Sequence, residues 1–166
     1  MVIGAFRCET QEFRYDILDV KYFRYPRFQS KEYLRQASKV VFQLLGKLEL
    51  KKDEQIQVCR GYIFDEAVNG LKEMYGDNQV DRITVTGEPQ RLTEIAYLDE
   101  IRNLGYEPVE ERDEKKAKSF FHMMSWLQKN PEKLIYAKTG WPRLQRYNLF
   151  KSYYQKRSKE EREVSS

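Results

Sequence analysis

Two kinds of hydrophobic spacing alternate along this chain. Residues 2–6 are a short apolar run closed by Arg7, and residues 13–25 form a longer one. In the second run Tyr15, Ile17, Leu18, Val20, Tyr22 and Phe23 are separated by Arg14, Asp16, Asp19 and Lys21. Apolar residues interleaved with polar ones mark strands, so the pair predicts an antiparallel hairpin. Its connection, residues 9–12, lacks the Asn-Gly or Asp-Gly dipeptide that would fix the register, and Pro26 stops the second strand because it has no N–H for a ladder. The period then changes to three and four. Tyr33, Leu34, Ala37, Val40, Val41, Leu44, Leu45 and Leu48 predict a helix, with Ser30 as its N-cap.

The central stretch organises the rest. Residues 55–61 predict a buried strand, residues 62–75 an amphipathic helix ended by Gly76, and residues 81–86 a second strand parallel to the first. Gly87 and Pro89 frame the next strand-to-helix turn, followed by a helix carrying Leu92, Ile95, Ala96, Leu98 and Ile101. Residues 106–109 offer a short edge strand, weakened by Pro108. Asp113 opens a helix with Ala117, Phe120, Phe121, Met124 and Leu127 on one stripe, stopped at Asn130-Pro131. Trp141-Pro142 opens a last helix with Leu144, Tyr147, Phe150, Ser152 and Tyr154 on a poorer stripe, and residues 160–166 form a polar tail.

This pattern predicts an α/β or α+β fold in which an N-terminal antiparallel hairpin leads into a mixed sheet with βαβα units covered by helices. Residues 1–130 form the α/β core domain and residues 131–166 a basic, aromatic helical extension. The element order resembles that of the ribonuclease-H-like superfamily, an analogy of order alone. A two-metal nuclease of that type needs several converging carboxylates. The first strand holds neither Asp nor Glu, and Asp16, Asp19, Asp65 and Glu66 read instead as solvated charges or first-turn helix residues.

Composition narrows the classes. The 166 residues are 40% hydrophobic and 34% charged, enough for one core with some solvated helix or tail outside it. Cys8 and Cys59 stand alone in apolar runs, without C-x-x-C or a histidine cluster. They read as small core residues of a reducing, cytoplasmic compartment, with no disulfide framework or metal site. No run approaches a membrane span. His122 lies beside no activated nucleophile, so neither catalytic residues nor a cofactor are expected.

Charge is distributed unevenly. Residues 133–159 hold Lys133, Lys138, Arg143, Arg146, Lys151, Lys156, Arg157 and Lys159 and no carboxylate. These eight positive charges exceed the net +4 of the whole chain, which leaves the remainder at −4. Tyr136, Trp141, Tyr147, Phe150, Tyr153 and Tyr154 are interleaved with them. Cations that displace phosphate counterions and rings that stack on unpaired bases are the means by which proteins bind single-stranded or structured RNA. A second basic-aromatic run, residues 21–28, extends that surface if the fold brings it alongside.

Three functional expectations follow. The first is non-catalytic binding of RNA or a ribonucleoprotein through the C-terminal segment. The second is binding or hydrolysis of a phosphate-bearing small ligand at the carboxyl ends of the parallel strands. There Arg60, Gly61, Tyr62, Thr86, Gly87, Glu88, Gln90 and Arg91 line one crevice beside two helix N-termini, although neither turn matches a dinucleotide or P-loop motif. The third is a protein partner docked on the C-terminal helix through its Tyr, Trp and Arg anchors.

Overall fold

A computed structural model describes residues 1–109 and 116–151. The fold mixes helix and strand around α1, Glu32–Lys47, which packs against elements on two sides. On one side lies the hairpin of β1, Val2–Arg7, and β2, Glu12–Ile17, paired antiparallel with Val2 opposite Ile17 and Arg7 opposite Glu12. On the other lie β3, Ile56–Cys59, and β4, Val80–Ile83. These pair in parallel through α2, Asp65–Tyr75, with Ile56 opposite Val80.

The expected mixed sheet does not form as one ladder. β1–β2 and β3–β4 are separate two-stranded sheets, with no hydrogen-bonded pairing between them among the described residues. The helix period of α1 explains how one element serves both. Tyr33, Ala37 and Leu44 bury into a core with Ile3, Leu18 and Phe23, while Phe42 and Leu45 turn toward Ile56, Val58, Val68, Leu71 and Val80; Val41 touches both. α3, Glu88–Asn103, lies across the hairpin, with Thr93 over Gly4. A third core forms where α4, Lys116–Lys129, sends Met124 and Leu127 against Leu134 and Phe150.

Several local expectations give way for identifiable reasons. β2 ends at Ile17 rather than at Tyr25, because the Asp19 carboxylate accepts the Lys21 N–H and winds Val20–Phe23 into a 3₁₀ turn. Ser30 is not the cap of α1. Its hydroxyl donates to the Arg27 carbonyl, and Lys31, at φ 55°, takes the cap position without a side-chain bond. The helix expected over residues 62–75 starts as a 3₁₀ turn, Tyr62–Phe64, and β4 stops before Thr86.

Residues 106–109 are not a strand. Tyr106 is buried and bonds back to the Ile101 carbonyl, so it closes α3 instead of pairing with an edge. The helix start expected at Asp113 lies outside the described residues, and the helix is described from Lys116. Phe120 and Phe121, expected in its buried stripe, stand exposed beside Tyr147. The last helix is a 3₁₀ turn over Pro142–Arg146, with residues 148–151 helical after it. Cys8 and Cys59, expected in the core, are exposed.

Residues 131–151 pack into the cores of the residues before them. Gly140 sits where its N–H donates to the Phe23 carbonyl at 2.8 Å, and a Cβ there would stand 2.6 Å from that oxygen and overlap the Phe28 side chain. Gly140→Ala is therefore expected to cost about 1–3 kcal/mol of stability, read as a lowered thermal midpoint with unchanged native circular dichroism.

Candidate nucleic-acid interface

The C-terminal segment reaches the body of the protein through an aromatic stack. Trp141 lies 4.5 Å from Phe28 and 6.1 Å from Phe23 between ring centroids, nearly parallel to the latter. Tyr33 of α1 completes the group at 5.3 Å from each of those phenylalanines. Each such contact adds about 0.5–1.5 kcal/mol beyond the area it buries, so Trp141, half-buried, spends part of its ring surface on the core it packs against. Phe150 is 4% exposed in the third core, and Tyr147 packs against Phe120 and Phe121. The rings expected to stack on bases are thus largely committed to the protein itself. Tyr136, 48% exposed beneath Lys133, is the described ring of that segment that stands open to solvent.

The cations divide in the same way. The Lys138 ammonium sits 4.4 Å from the centre of the Phe23 ring, and burial holds its pKa below the ordinary lysine value. Lys138 is therefore poorly placed to meet a phosphate. Arg143, Arg146 and Lys151 are exposed and Lys133 is half-buried, and none of the four forms an ion pair among the described residues. Arg146 donates to the Tyr147 hydroxyl at 2.9 Å and lies over that ring. Tyr154, Lys156 and Arg157, named with these residues from sequence, lie outside the described residues, as do Tyr153 and Lys159.

The fold does bring the second basic run alongside the first. Arg24 donates to the Ile135 carbonyl at 3.3 Å, the Gly140 N–H reaches Phe23, and Trp141 covers Phe28. Residues 21–28 and 133–143 are therefore neighbours, which adds Lys21, Arg24 and Arg27 to the cationic surface. Part of that charge is already offset, since Lys21 pairs with Asp19 at 3.0 Å and Arg27 stands 3.8 Å from Glu32.

At the alternative site several of the named side chains have polar partners within the protein. Arg91 pairs with Glu88, whose pKa this contact lowers, and Gln90 donates to Glu94. Arg60 donates to the Arg82 carbonyl, and Arg82 is held by Asp65 and the Gly61 carbonyl. Tyr62, Thr86 and Gly87 are at the surface, and Gly87 takes φ 73° to begin α3. None of these eight positions lines the cavity between β1 and β3. No group of three or more His, Cys, Asp or Glu side chains is placed to hold a metal among the described residues. His122 is spoken for as well, with Nδ1 2.9 Å from the buried Tyr106 hydroxyl.

The stack also fixes a titration. Burial, and then the hydrogen bond with Tyr62, push the Tyr33 hydroxyl from the ordinary value of 10.0 up to about 12. A phenol whose folded pKa is raised favours folding fully below its unfolded pKa and loses that contribution as pH climbs through the folded one. Stability is therefore expected to fall between about pH 10 and pH 12, and Tyr33→Phe should flatten that part of the profile, as followed by urea denaturation at stepped pH.

The two classes of C-terminal residue separate by mutation. Trp141→Ala is expected to cost about 3 kcal/mol in the same denaturation measurement, whereas Arg143→Gln should stay within about 0.5 kcal/mol of the parent. No protein-family model, curated protein or solved structure matches this chain.

Proposed function

We propose that this protein binds RNA or a ribonucleoprotein non-catalytically, with the cations of residues 133–151 and of residues 21–28 serving as one contact surface. The reading rests on a single observation: the chain's two basic runs, more than a hundred residues apart in sequence, are tied together by Arg24 to Ile135 and by Gly140 to Phe23. Contact would be made chiefly by Lys133, Arg143, Arg146 and Lys151 to phosphates, because Phe150 is buried and Trp141 and Tyr147 are half-buried against the protein's own rings. Recognition would then follow backbone shape and charge more than base identity, with Tyr136 the described C-terminal ring open to stacking.

The other two readings have less behind them. A phosphate-bearing ligand at Arg60 and Arg91 would have to break ion pairs and hydrogen bonds that already satisfy the polar groups there. A partner docking on Trp141 would compete with Phe23 and Phe28 for the same ring. The ribonuclease-H-like element order brings no nuclease chemistry with it, since β1 carries no carboxylate.

Point variants are the suitable test, because cutting the chain after Asn130 would remove Trp141 and Phe150 from two cores. Affinity for a fluorescein-labelled single-stranded RNA is expected to fall steeply with added salt. Each of Lys133→Gln, Arg143→Gln and Lys151→Gln should lower the slope of log affinity against log salt by about 0.7. Arg91→Gln should leave both affinity and slope unchanged. Binding that ignores salt, or that depends on Arg91 and not on Arg143, refutes the assignment.

A further inference from the structure

A cavity is bounded by two strands, β1 and β3, that do not pair with each other among the described residues. Met1 and Leu18 exchange both backbone hydrogen bonds, and in that register Ile3 and Ala5 face β2 while the N–H and C=O groups of Gly4 and Phe6 point away from it. In the parallel pair, the Arg60 N–H donates to the Ile83 carbonyl. Ile56 and Val58 therefore face β4, while Gln57 and Cys59 point their backbone groups outward.

Gly4, Phe6, Gln57 and Cys59 all line the same cavity, of about 250 Å³. Its floor is the apolar stripe of α1, made by Val41, Leu44, Leu45 and Leu48. β1 and β3 lack the run of close Cα approaches that strands one spacing apart would share. Two strand edges that are unpaired among the described residues thus face the same cavity across an apolar floor.

We infer that the gap between β1 and β3 receives an extended peptide from a partner protein, a strand of about five residues that joins the hairpin and the parallel pair into one sheet. The cavity specifies that peptide. Alternate side chains must be apolar to lie on the α1 stripe, and the others face outward beside Gln57 and Val85.

The charged lining adds a further requirement. Arg7 is paired with Glu54 and donates to the Leu48 carbonyl at 2.9 Å, whereas Glu9 is exposed and has no ion-pair partner among the described residues. The net charge of the three is −1, which favours a lysine or arginine at the end of the peptide near Glu9. Arg7 Nε is also buried without an acceptor among the described residues, a donor that a peptide carbonyl would satisfy. This site is separate from the basic surface, and either assignment stands if the other fails.

The experiment uses the full chain and the peptide acetyl-Val-Thr-Val-Thr-Val-Lys-amide, with amide hydrogen exchange followed by NMR. In the free protein the Gly4, Phe6, Gln57 and Cys59 amides should exchange faster than those of Ile3, Ala5 and Val58. Saturating peptide should slow those four by about tenfold or more. A peptide N-methylated at alternate residues should have no effect, and Glu9→Lys should weaken binding about two- to five-fold. Gln57→Pro, which removes one N–H facing the gap, should abolish binding while leaving the thermal midpoint nearly unchanged. The assignment is overturned if the four amides are already protected in the free protein, if millimolar peptide leaves them unchanged, or if they become protected as protein concentration alone is raised. The last result would assign the gap to a second copy of this chain.

Discussion

The packing of Trp141 against Phe23, Phe28 and Tyr33 is the contact on which the arrangement of this protein depends. Tyr33 belongs to α1, the two phenylalanines to the turn after the hairpin, and Trp141 to the C-terminal segment, so a single group of rings joins three distant parts of the chain. Offset rings at these separations combine large apolar area with a preferred geometry, which makes the join directional as well as adhesive. Without it the hairpin would keep its contact with α1, but the segment after Asn130 would be held chiefly by its own small core of Met124, Leu127, Leu134 and Phe150.

That join determines what the basic residues can do. It places the half-buried Lys138 over the Phe23 ring, while Arg143 further along stays exposed to water. The same geometry carries residues 21–28 to the edge of the segment. Cations that lie apart in sequence thus acquire a shared surface, with the buried rings as its support rather than its working face. Electrostatic contact with a polyanion needs such a surface and little else, whereas base stacking would need rings that this packing has consumed.

α1 imposes a second constraint. Its apolar positions divide between two cores, and the sheets on which they pack remain apart. A helix about 10 Å across can cover two adjacent pairs of strands without forcing them to touch. What lies between is a cavity with an apolar floor and strand edges on both sides. In most small domains such edges are closed by pairing or blunted by charge. Here Gly4 and Phe6 face Gln57 and Cys59 with no ladder between them among the described residues, and the charge in the lining comes from Arg7, Glu9 and Glu54.

The sequence by itself determined the hairpin, the three-and-four stripe of α1, the parallel βαβ unit with Gly76 and Pro89 at its turns, and the uneven charge, because each is written in local spacing and residue type. It did not show that β1–β2 and β3–β4 remain separate, since strand pairing depends on how far apart α1 holds them. Nor did it show which side of a ring faces water. Phe120 and Phe121 fit a buried stripe yet lie exposed, whereas Trp141 fits an exposed basic arm yet lies half-buried against the first core. Periodicity reports that a residue is apolar and which neighbours share its face; only tertiary contact decides whether that face meets the protein or the solvent.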